Sequence, residues 1–398
     1  MTKFSKTIFY LIWIVFPLGQ LVRVQLSDYL PGLKLQPLDF LVFGFVFNWT
    51  VVKIKERKFN LPIFFKEMLV FAGIALFSLL VNFFNLSLSE FLPAFLYWAR
   101  LVNFILFYPA LVDFLKEKKV DILKLITLEG VMIGVGAILQ YLLFPDLRFL
   151  YFSGWDEHYF RATGTFLDPS FTAIILVLSL LAFLIPKLKG QLDLKFWIGS
   201  LFYLSAIGLT FSRVAYVAMA IGAGLVLILK MKIKLLALAV TAFLIIVLLI
   251  PKPGGEGVDL LRTSSFVARA DSYTFAWEII KSNFVFGVGY NALRSEQYNQ
   301  GFLSPLNWST NNAGAGTDNS FLFVWATCGI FGLAAFVYLL ATILKQTSKN
   351  LKKESSLFLF TAILTLIFAS LLVNYFFYPW VLAILMLTLA NFSVDSGE

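Results

Sequence analysis

The sequence predicts an all-α, polytopic membrane protein with about twelve transmembrane helices and one long extracytoplasmic loop that contains short helices. Hydrophobic residues make up 60% of the 398 residues and charged residues only 14%, whereas about a quarter of a soluble domain is charged. Apolar runs of about 20 residues, the length that spans a bilayer as a helix, recur along the whole chain. The predicted spans are 7–26, 35–52, 62–84, 91–115, 122–144, 169–186, 196–211, 214–230, 235–250, 319–344, 356–377 and 379–392.

Positive charge recurs between the spans and indicates their orientation. The first span follows Lys3 and Lys6 but has no small-residue cleavage site, so it is predicted to be a retained helix rather than a signal peptide. The lysine-rich clusters then fall on one face, and they are 53-KIKERK-58, 116-KEKK-119, 187-KLK-189, 230-KMKIK-234 and 345-KQTSKNLKK-353. Cytoplasmic loops carry such an excess of positive charge, so both termini are predicted to be cytoplasmic. The net charge of +9 therefore reflects topology, and a nucleic-acid surface is not predicted.

The chain is predicted to have three parts. Residues 1–250 hold nine spans with short loops, 251–318 form a large extracytoplasmic loop, and 319–398 hold three spans and a cytoplasmic tail. Within the large loop, 266–282 lacks glycine and proline and spaces its apolar residues as an amphipathic helix does. The segment 286-FGVGYN-291 lacks the third glycine and the preceding strand of a nucleotide-binding turn, so it is predicted to be an ordinary turn.

The outer face differs from the cytoplasmic face in its choice of cation. Its predicted cations are Arg148, Arg161, Arg213, Arg262, Arg269 and Arg294, with Lys34, Lys252 and Lys281. A planar guanidinium grips phosphate or carboxylate oxygens with two donors, which membrane topology alone does not require. Lipid headgroups or loop carboxylates are an alternative explanation for Arg148, Arg262 or Arg294. Arg213 stands between two apolar runs, where the connection 211–213 is too short to supply a carboxylate, so an anionic ligand is expected there.

Several enzyme classes lack their sequence motifs in this chain. One histidine and one cysteine leave no metal-ligand spacing, and no P-loop, nucleophile elbow or paired-carboxylate motif occurs. Neither a metal nor a cofactor is therefore predicted. The cysteine, Cys328, falls within an apolar run and is expected to be a core residue.

Four segments, taken in their order and spacing, resemble the O-antigen ligase and O-antigen polymerase family of bacterial membrane glycosyltransferases. They are 161-RATGTFLDPSFTA-173, 210-TFSRVA-215, 269-RADSYTFAWEIIKSNFVFGVG-289 and 317-TDNSFLFVWATCGIFGLAAF-336. The resemblance implies a GT-C-like fold among the lipids of the bacterial inner membrane, with an extracytoplasmic active site. It also implies an undecaprenyl diphosphate-linked glycan as donor. The implied acceptor is lipid A-core for a ligase or a second lipid-linked glycan for a polymerase.

The resemblance extends to particular residues. Arg213 matches the family's arginine beside its short outer turn and Arg269 matches the one in the long loop, so both are expected to hold the diphosphate, with Arg161 as a further candidate. Ligases carry a histidine before the asparagine that opens the helix after the long loop, whereas this chain reads 318-DN-319. Asp318 is therefore the candidate for activating the acceptor hydroxyl, and the departure leaves room for a polymerase-like member.

Three side chains each have two competing interpretations. Asp168 precedes a proline, which is typical of a helix N-cap, and the positive end of that helix would face outward; capping is the assigned role of Asp168, and a role in function is the alternative. Asp318 is either a general base within hydrogen-bond reach of the acceptor or the N-cap of a helix beginning at Asn319. The sole histidine, His158, is either a base in an outer loop or an interfacial residue, and it ranks below Asp318.

A transporter of lipid-linked sugars is the competing class of function. Transporters place ionisable groups near the middle of the bilayer and often have repeated halves. Arg100 and Glu129 lie within predicted spans, but no internal repeat is found and the outer arginines cluster at one face, which favours an enzyme. Because their depths along antiparallel spans agree, Arg100 and Glu129 are predicted to pair inside the bundle or to share a polar cluster with Asn103.

Overall fold

The structure of the chain is a computed structural model that describes residues 3–25, 30, 33–57, 61–250, 254–304, 308 and 316–397. Within these residues the α-helices are α1 (Lys3–Val15), α2 (Pro37–Glu56), α3 (Phe65–Val81), α4 (Leu88–Glu117), α5 (Ile122–Leu143), α6 (Pro169–Lys187), α7 (Leu194–Gly208), α8 (Arg213–Leu229), α9 (Ile233–Leu249), α10 (Ser264–Ser282), α11 (Leu293–Asn299), α12 (Ser320–Ser348), α13 (Glu354–Ala369) and α14 (Pro379–Ser396). The all-α prediction missed a small antiparallel ribbon between α1 and α2, formed by β1 (Val24–Gln25) and β2 (Lys34–Leu35).

Every predicted span overlaps a helix. The spans correspond to α1–α9 and α12–α14, while α10 and α11 lie in the predicted large loop. Six of the described helices are long and apolar enough to cross a membrane, namely α2, α4, α5, α6, α12 and α14. Length and composition therefore make the chain a multi-pass membrane protein, and the number of twelve spans stays a prediction.

The first helix ends earlier than the apolar run 7–26 predicts. A 3-10 turn at Phe16–Leu18 follows α1, because Pro17 cannot continue the helical hydrogen-bond ladder. Gly19 then adopts a φ of 55°, and a Cβ there would lie 2.6 Å from the carbonyl oxygen of Thr165. The N-terminal segment is thereby packed onto the chain that precedes α6.

Helix α6 is the centre of the bundle. It packs against α5, α7, α8 and α13, and the side chains of Ile174, Val177 and Leu181 have no exposed surface. A helix that is apolar on all sides is stable when other helices surround it. The residues before α6 are consequently held at one end of the bundle.

Lysine side chains from separate loops meet at the other end of α6. Lys189, which follows α6, forms an ion pair of 2.7 Å with Glu354 at the start of α13. Lys230, Lys349 and Lys352 line a common surface hollow. This grouping agrees with the predicted lysine-rich face, and the assignment of that face to the cytoplasm stays a prediction.

The predicted pairing of Arg100 with Glu129 is wrong. The Nε of Arg100 instead donates to Oδ1 of Asp39, in the first turn of α2, at 2.7 Å. The prediction assumed that neighbours in sequence are neighbours in space, whereas α4 packs mainly on α14, α3 and α2, and α5 packs mainly on α6. Glu129 is buried on α5, and its Oε2 makes no hydrogen bond with the described residues.

The turn predicted at 286–291 is confirmed, and it docks into a break in α12. Gly329 interrupts α12 with a φ of 67° and a ψ of −171°. The freed main-chain groups pair with the turn, since the N–H of Val288 donates to the carbonyl of Ala326 at 2.9 Å and the N–H of Ile330 donates to that of Phe284 at 3.0 Å. The end of the large loop is thus fixed to the bundle by main-chain hydrogen bonds.

The helix predicted at 266–282 is present as α10, but only its second half turns an apolar side to the bundle. Ala276, Ile279 and Ile280 are buried, whereas Val267 is exposed. Because α10 packs against α12, it holds the predicted large loop against the bundle.

Candidate active site

The turn between α7 and α8, residues 209–212, is bound by Arg161. The guanidinium of Arg161 donates from Nε to the carbonyl of Thr210 at 3.1 Å and from Nη2 to that of Phe211 at 3.3 Å. Only 9% of Arg161 is exposed. Burial, and then repulsion from Arg262, lower the pKa of Arg161 to about 10, so it remains a cation at neutral pH.

Arg213 begins α8 and holds the large loop against the same turn. Its Nη1 donates to the carbonyls of Leu260 at 3.3 Å and Arg262 at 2.9 Å, and its Nη2 donates to Oγ of Ser265. Arg262 in turn donates to the carbonyl of Phe211 at 3.4 Å. The short connection supplies no carboxylate, as predicted, yet main-chain carbonyls from a remote loop provide Arg213 with partners.

The N-termini of α6, α8 and α12 lie close together at this end of the bundle. The hydroxyls of Ser212 and Ser170, before α8 and in the first turn of α6, are 3.3 Å apart. Tyr375 donates its hydroxyl to the carbonyl of Ser170 at 3.2 Å, and Ser320 of α12 donates to Oδ1 of the nearby Asn374 at 2.7 Å. Each N-terminus carries a partial positive charge, so this end of the bundle favours an anion.

The N-caps separate two of the competing interpretations. Asp168 accepts hydrogen bonds from two main-chain N–H groups of α6 at 2.6 and 2.9 Å, which confirms its capping role. At α12 the corresponding acceptor is Asn319, with two such bonds at 2.8 and 3.1 Å. The alternative in which Asp318 caps this helix is therefore wrong.

Arg269 of α10 lies beside the residues that precede α12. Its Nε donates to the carbonyl of Leu372 at 3.1 Å, while the neighbouring Leu371 carbonyl accepts from Tyr273 and from Nδ2 of Asn319. The two terminal Nη groups of Arg269 make no hydrogen bond within the described part of the chain. Arg269 is thus oriented by one donor and keeps a pair of donors for a ligand.

Asp318 is partly buried and its carboxylate is not used structurally. Its main-chain N–H donates to Oγ of Ser272 at 3.2 Å, but the carboxylate has no hydrogen bond or ion pair with a described residue. Burial raises the pKa of the Asp318 carboxyl, Arg269 opposes that increase, and Asp168 adds to it. A carboxylate that retains a raised proton affinity suits a general base better than a capping carboxylate does.

Asp156 is a third acidic residue of this region, and no motif in the sequence marks it. Although Asp156 is exposed, desolvation by the surrounding protein and then repulsion from Asp168 and Asp318 raise the pKa of its carboxyl to about 6. Arg161 opposes the shift. The one signal in the sequence is its position in 155-WDEH-158, two residues before His158.

His158 is placed poorly for a base. It is 4% exposed, and burial followed by repulsion from Arg161 and Arg262 lowers the pKa of its imidazole to about 3. The ring is therefore neutral at neutral pH and has little affinity for a proton. These features favour Asp318 over His158, as the sequence analysis did.

The predicted site residues thus fall into two groups. Arg161 and Arg213 bind the 209–212 turn and the large loop, whereas Arg269 and Asp318 lie together before α12, and Asp168 interacts electrostatically with both Arg161 and Arg269. Arg148 has the alternative role predicted for it, an exposed ion pair of 2.6 Å with Asp146. No group of three or more potential metal ligands occurs among the described residues. The predicted Lys252 lies outside them.

Comparison with known proteins agrees with the resemblance seen in the sequence. Residues 198–337 match the family model described as O-Antigen ligase, a region that contains Arg213, Arg269 and Asp318. A protein named O-antigen ligase from Salmonella typhimurium is 27% identical over 186 residues, which cover 43% of this chain and 46% of that protein. The match therefore spans less than half of the relative's length. The predicted resemblance is confirmed for the part of the chain that carries the large loop.

Proposed function

We infer that this chain, which contains an O-antigen ligase family region, is a membrane glycosyltransferase that moves a glycan from undecaprenyl diphosphate to an acceptor hydroxyl at the extracytoplasmic surface of the bacterial inner membrane. Lipid A-core is the proposed acceptor of a ligase reaction. One observation supports this most strongly. Arg269 of α10 and Asp318, just before α12, lie together, and the two Nη groups of Arg269 and the carboxylate of Asp318 make no hydrogen bond with the described residues.

The proposed reaction needs a stabilised leaving group. The bond between the anomeric carbon of the glycan and the diphosphate oxygen breaks, and negative charge increases on the diphosphate. The Nη groups of Arg269 are suited to bind two of its oxygens, and the N-termini of α8 and α12 add partial positive charge, whereas the carboxylate of Asp168 already caps α6. Fixed donors of this kind need little reorganisation as the charge develops.

The acceptor must lose a proton as the new bond forms. The oxygen of the acceptor hydroxyl bonds to the anomeric carbon, and its proton passes to the carboxylate of Asp318. The raised pKa of Asp318 brings its proton affinity nearer to neutral pH, which strengthens it as a base. No cofactor or metal is required to balance this step.

Arg213 and Arg161 contribute to the proposed site in a different way. In each of these arginines, two of the three guanidinium nitrogens already donate hydrogen bonds to carbonyls or a hydroxyl of the turn and the loop. Their fixed charges still add to the positive potential around the diphosphate. We therefore propose that they position the loop and attract the donor, while Arg269 makes the two-pronged contact.

The test is a transfer assay with purified protein and a lipid diphosphate-linked glycan, with and without a core-lipid acceptor. A glycan-core conjugate supports the ligase function. Longer lipid-linked chains without a conjugate support the second candidate, a polymerase, which the aspartate in place of the ligase histidine at residue 318 favours. The absence of both products, with glycan movement across vesicles, would contradict both enzyme functions and support a transporter.

A further inference from the structure

The lysine-rich end of the bundle has a surface hollow, and it lies at the opposite end of α12 from Asp318. The hollow has a volume of about 490 Å³ and is formed where the end of α8, the loop between α12 and α13 and the first turn of α13 meet. Sites for small molecules have volumes of about 300–1,000 Å³. The hollow is therefore large enough for one compact polar group of a larger ligand.

Three lysines line this hollow, and no acidic residue occurs among the lining residues that the structure describes. The lysines are Lys230, Lys349 and Lys352. The ammonium groups of Lys230 and Lys352 make no hydrogen bond or ion pair within the described part of the chain. Lys349 donates to the amide oxygen of Gln346 at 2.5 Å, a partner that carries no charge. No carboxylate of the described residues therefore neutralises the three lysines.

Helix dipoles account for only part of this positive charge. Lys230 follows the last residue of α8 and Lys349 follows the last residue of α12. The carboxyl end of a helix carries about half a negative charge, so two ends offset about one of the three lysines. Glu354 opens α13 nearby, but it is already paired with Lys189 at 2.7 Å. About two positive charges are thus left for an external anion.

The packing of neighbouring elements fixes the shape of the hollow. Helix α8 packs closely against α13, since a Cβ at Gly222 would lie 2.5 Å from Oγ1 of Thr365. The loop after α12 is also held, because the Nζ of Lys353 donates to the carbonyl of Asp395 at 2.7 Å and its main-chain N–H donates to the carbonyl of Asn350 at 3.1 Å. The lysines of the two loops are therefore brought together by the fold.

An apolar stripe on α13 begins beside the hollow. Leu357 of α13 lines the hollow, and beyond it α13 is buried except for one row of side chains. The row consists of Phe360, Leu364, Ile367 and Phe368, whose spacing places them on one side of a helix. This side is the one that the packing of α13 against α6, α8, α12 and α14 leaves open.

The stripe is placed to contact lipid hydrocarbon. Three of the helices packed against α13, namely α6, α12 and α14, are long and apolar enough to cross a membrane. An open apolar side among such helices faces the acyl chains of the bilayer. The lysine-lined hollow and the apolar stripe thus adjoin each other as the phosphate and the chain of a phospholipid do.

We propose that the hollow binds the phosphate of an anionic phospholipid, with one acyl chain of that lipid lying along the α13 stripe. Lysines at a membrane surface attract anionic headgroups, and their aliphatic stems cover apolar surface while the ammonium groups stay in water. A free phosphate would occupy the hollow but leave the stripe without a partner. This lipid site is separate from the proposed transfer site, and neither depends on the other.

Binding is tested by native mass spectrometry of the full chain in detergent, with dioleoylphosphatidylglycerol and dioleoylphosphatidylcholine, which share their acyl chains. We expect the wild type to bind phosphatidylglycerol more tightly. Each lysine removed should weaken that binding by about fivefold, so the double variant Lys230→Gln/Lys352→Gln should lose about 25-fold. Its affinity for phosphatidylcholine should not change. The matched control is Lys118→Gln/Lys119→Gln, which removes two exposed lysines of another lysine-rich cluster and should leave both affinities unaltered.

Two further variants keep the test decisive. Lys230→Arg/Lys352→Arg retains both charges and should retain the affinity for phosphatidylglycerol. Lys352→Gln alone changes one exposed side chain and should weaken binding by about fivefold even where the double glutamine variant folds poorly. Leu364→Trp fills the open side of α13 without a change of charge, so it should weaken the binding of both lipids.

Four results would overturn the assignment. Equal affinities of the wild type for the two lipids would remove the anionic headgroup from it. An equal loss of phosphatidylglycerol binding in both double glutamine variants would show that overall charge, and not the hollow, attracts the lipid. Displacement of phosphatidylglycerol by an equal concentration of glycerol 3-phosphate would mark a site for free phosphate. Unchanged binding in Leu364→Trp would show that no acyl chain lies along α13.

Discussion

Two regions at the end of the bundle where α6 and α12 begin carry arginines that look alike in sequence and differ in the structure. Around the 209–212 turn, Arg161, Arg213 and Arg262 direct their donors to carbonyls of the turn and the large loop. In the second region, beside the start of α12, Arg269 of α10 donates a hydrogen bond to the protein only from its Nε. An arginine beside apolar segments can therefore stabilise the fold or bind a ligand. The number of its N–H groups that are not hydrogen-bonded to the protein distinguishes the two roles.

The predictions below are ordered by their expected effect on glycan transfer. Asp318→Asn should lower kcat by about 10²- to 10⁴-fold, because the amide cannot take the acceptor's proton. The unfolding temperature should hardly change, since Asn319 supplies the α12 cap. The measurement is product formation in the transfer assay beside a thermal melt. Normal turnover of Asp318→Asn would remove the base from the proposal, and Asp318→His is the companion variant expected to retain activity.

The pH dependence sharpens the same assignment. A base must be ionised, and burial raises the pKa of Asp318, so activity should fall on acidification at a higher pH than the value of about 3.9 for an ordinary aspartate. In Asp318→His the acid limb should move toward about 6.5, the value of an imidazole. If the acid limb of the pH–activity profile lies at the same pH in the wild type and in Asp318→His, the titrating group is not residue 318.

Arg269→Lys tests the region with spare donors. Lysine keeps the charge but lacks the planar pair of donors, so kcat/KM should fall on the order of 10²-fold, as for loss of one donor to a developing anion. The melting temperature should change little, because one hydrogen bond to Leu372 is at stake. Unaltered kcat/KM would mean that the two regions do not differ in the way proposed.

Arg213→Lys tests the region whose donors are occupied. The substitution removes the guanidinium that donates to the carbonyls of Leu260 and Arg262. Each hydrogen bond from a charged donor contributes about 1.5–3 kcal/mol to stability. Amide exchange over 257–265 should accelerate, and transfer should fall less than in Arg269→Lys. Hydrogen-exchange mass spectrometry measures the first effect. A loss of transfer equal to that of Arg269→Lys without faster exchange would return Arg213 to direct diphosphate binding.

Substitutions of acidic residues inside the bundle should have the smallest effect on transfer. They show how much stability is lost when a residue with a purely structural role is changed. Asp39→Asn leaves Arg100 without its carboxylate and should lower the free energy of unfolding by about 3–5 kcal/mol. Glu129→Gln should lower it less, because no cation partners Glu129 among the described residues. The two melts are compared in the same detergent. A greater loss in Glu129→Gln would show that a partner of Glu129 has been overlooked.

Much of the fold and part of the site were predictable from the sequence. Hydropathy runs and caps act over a few residues, so the helices, the Asp168 cap and the turn at 286–291 were predicted correctly. Arg269 and Asp318 were identified through family-like segments and their order in the chain. The ribbon that carries Lys34 was missed, because strands of two residues leave almost no periodicity to detect.

By itself the sequence determined that this protein is a multi-pass membrane chain, and it predicted a face with arginines opposite a face with lysines. Only the tertiary structure decided which carbonyls accept hydrogen bonds from Arg213. It also decided that Asn319 rather than Asp318 caps α12, and that Asp39 pairs with Arg100. Hydropathy and charge act through the local composition of the chain. The choice of partner depends on which segments meet in space, and a main-chain carbonyl, which every residue carries, leaves no mark in the sequence.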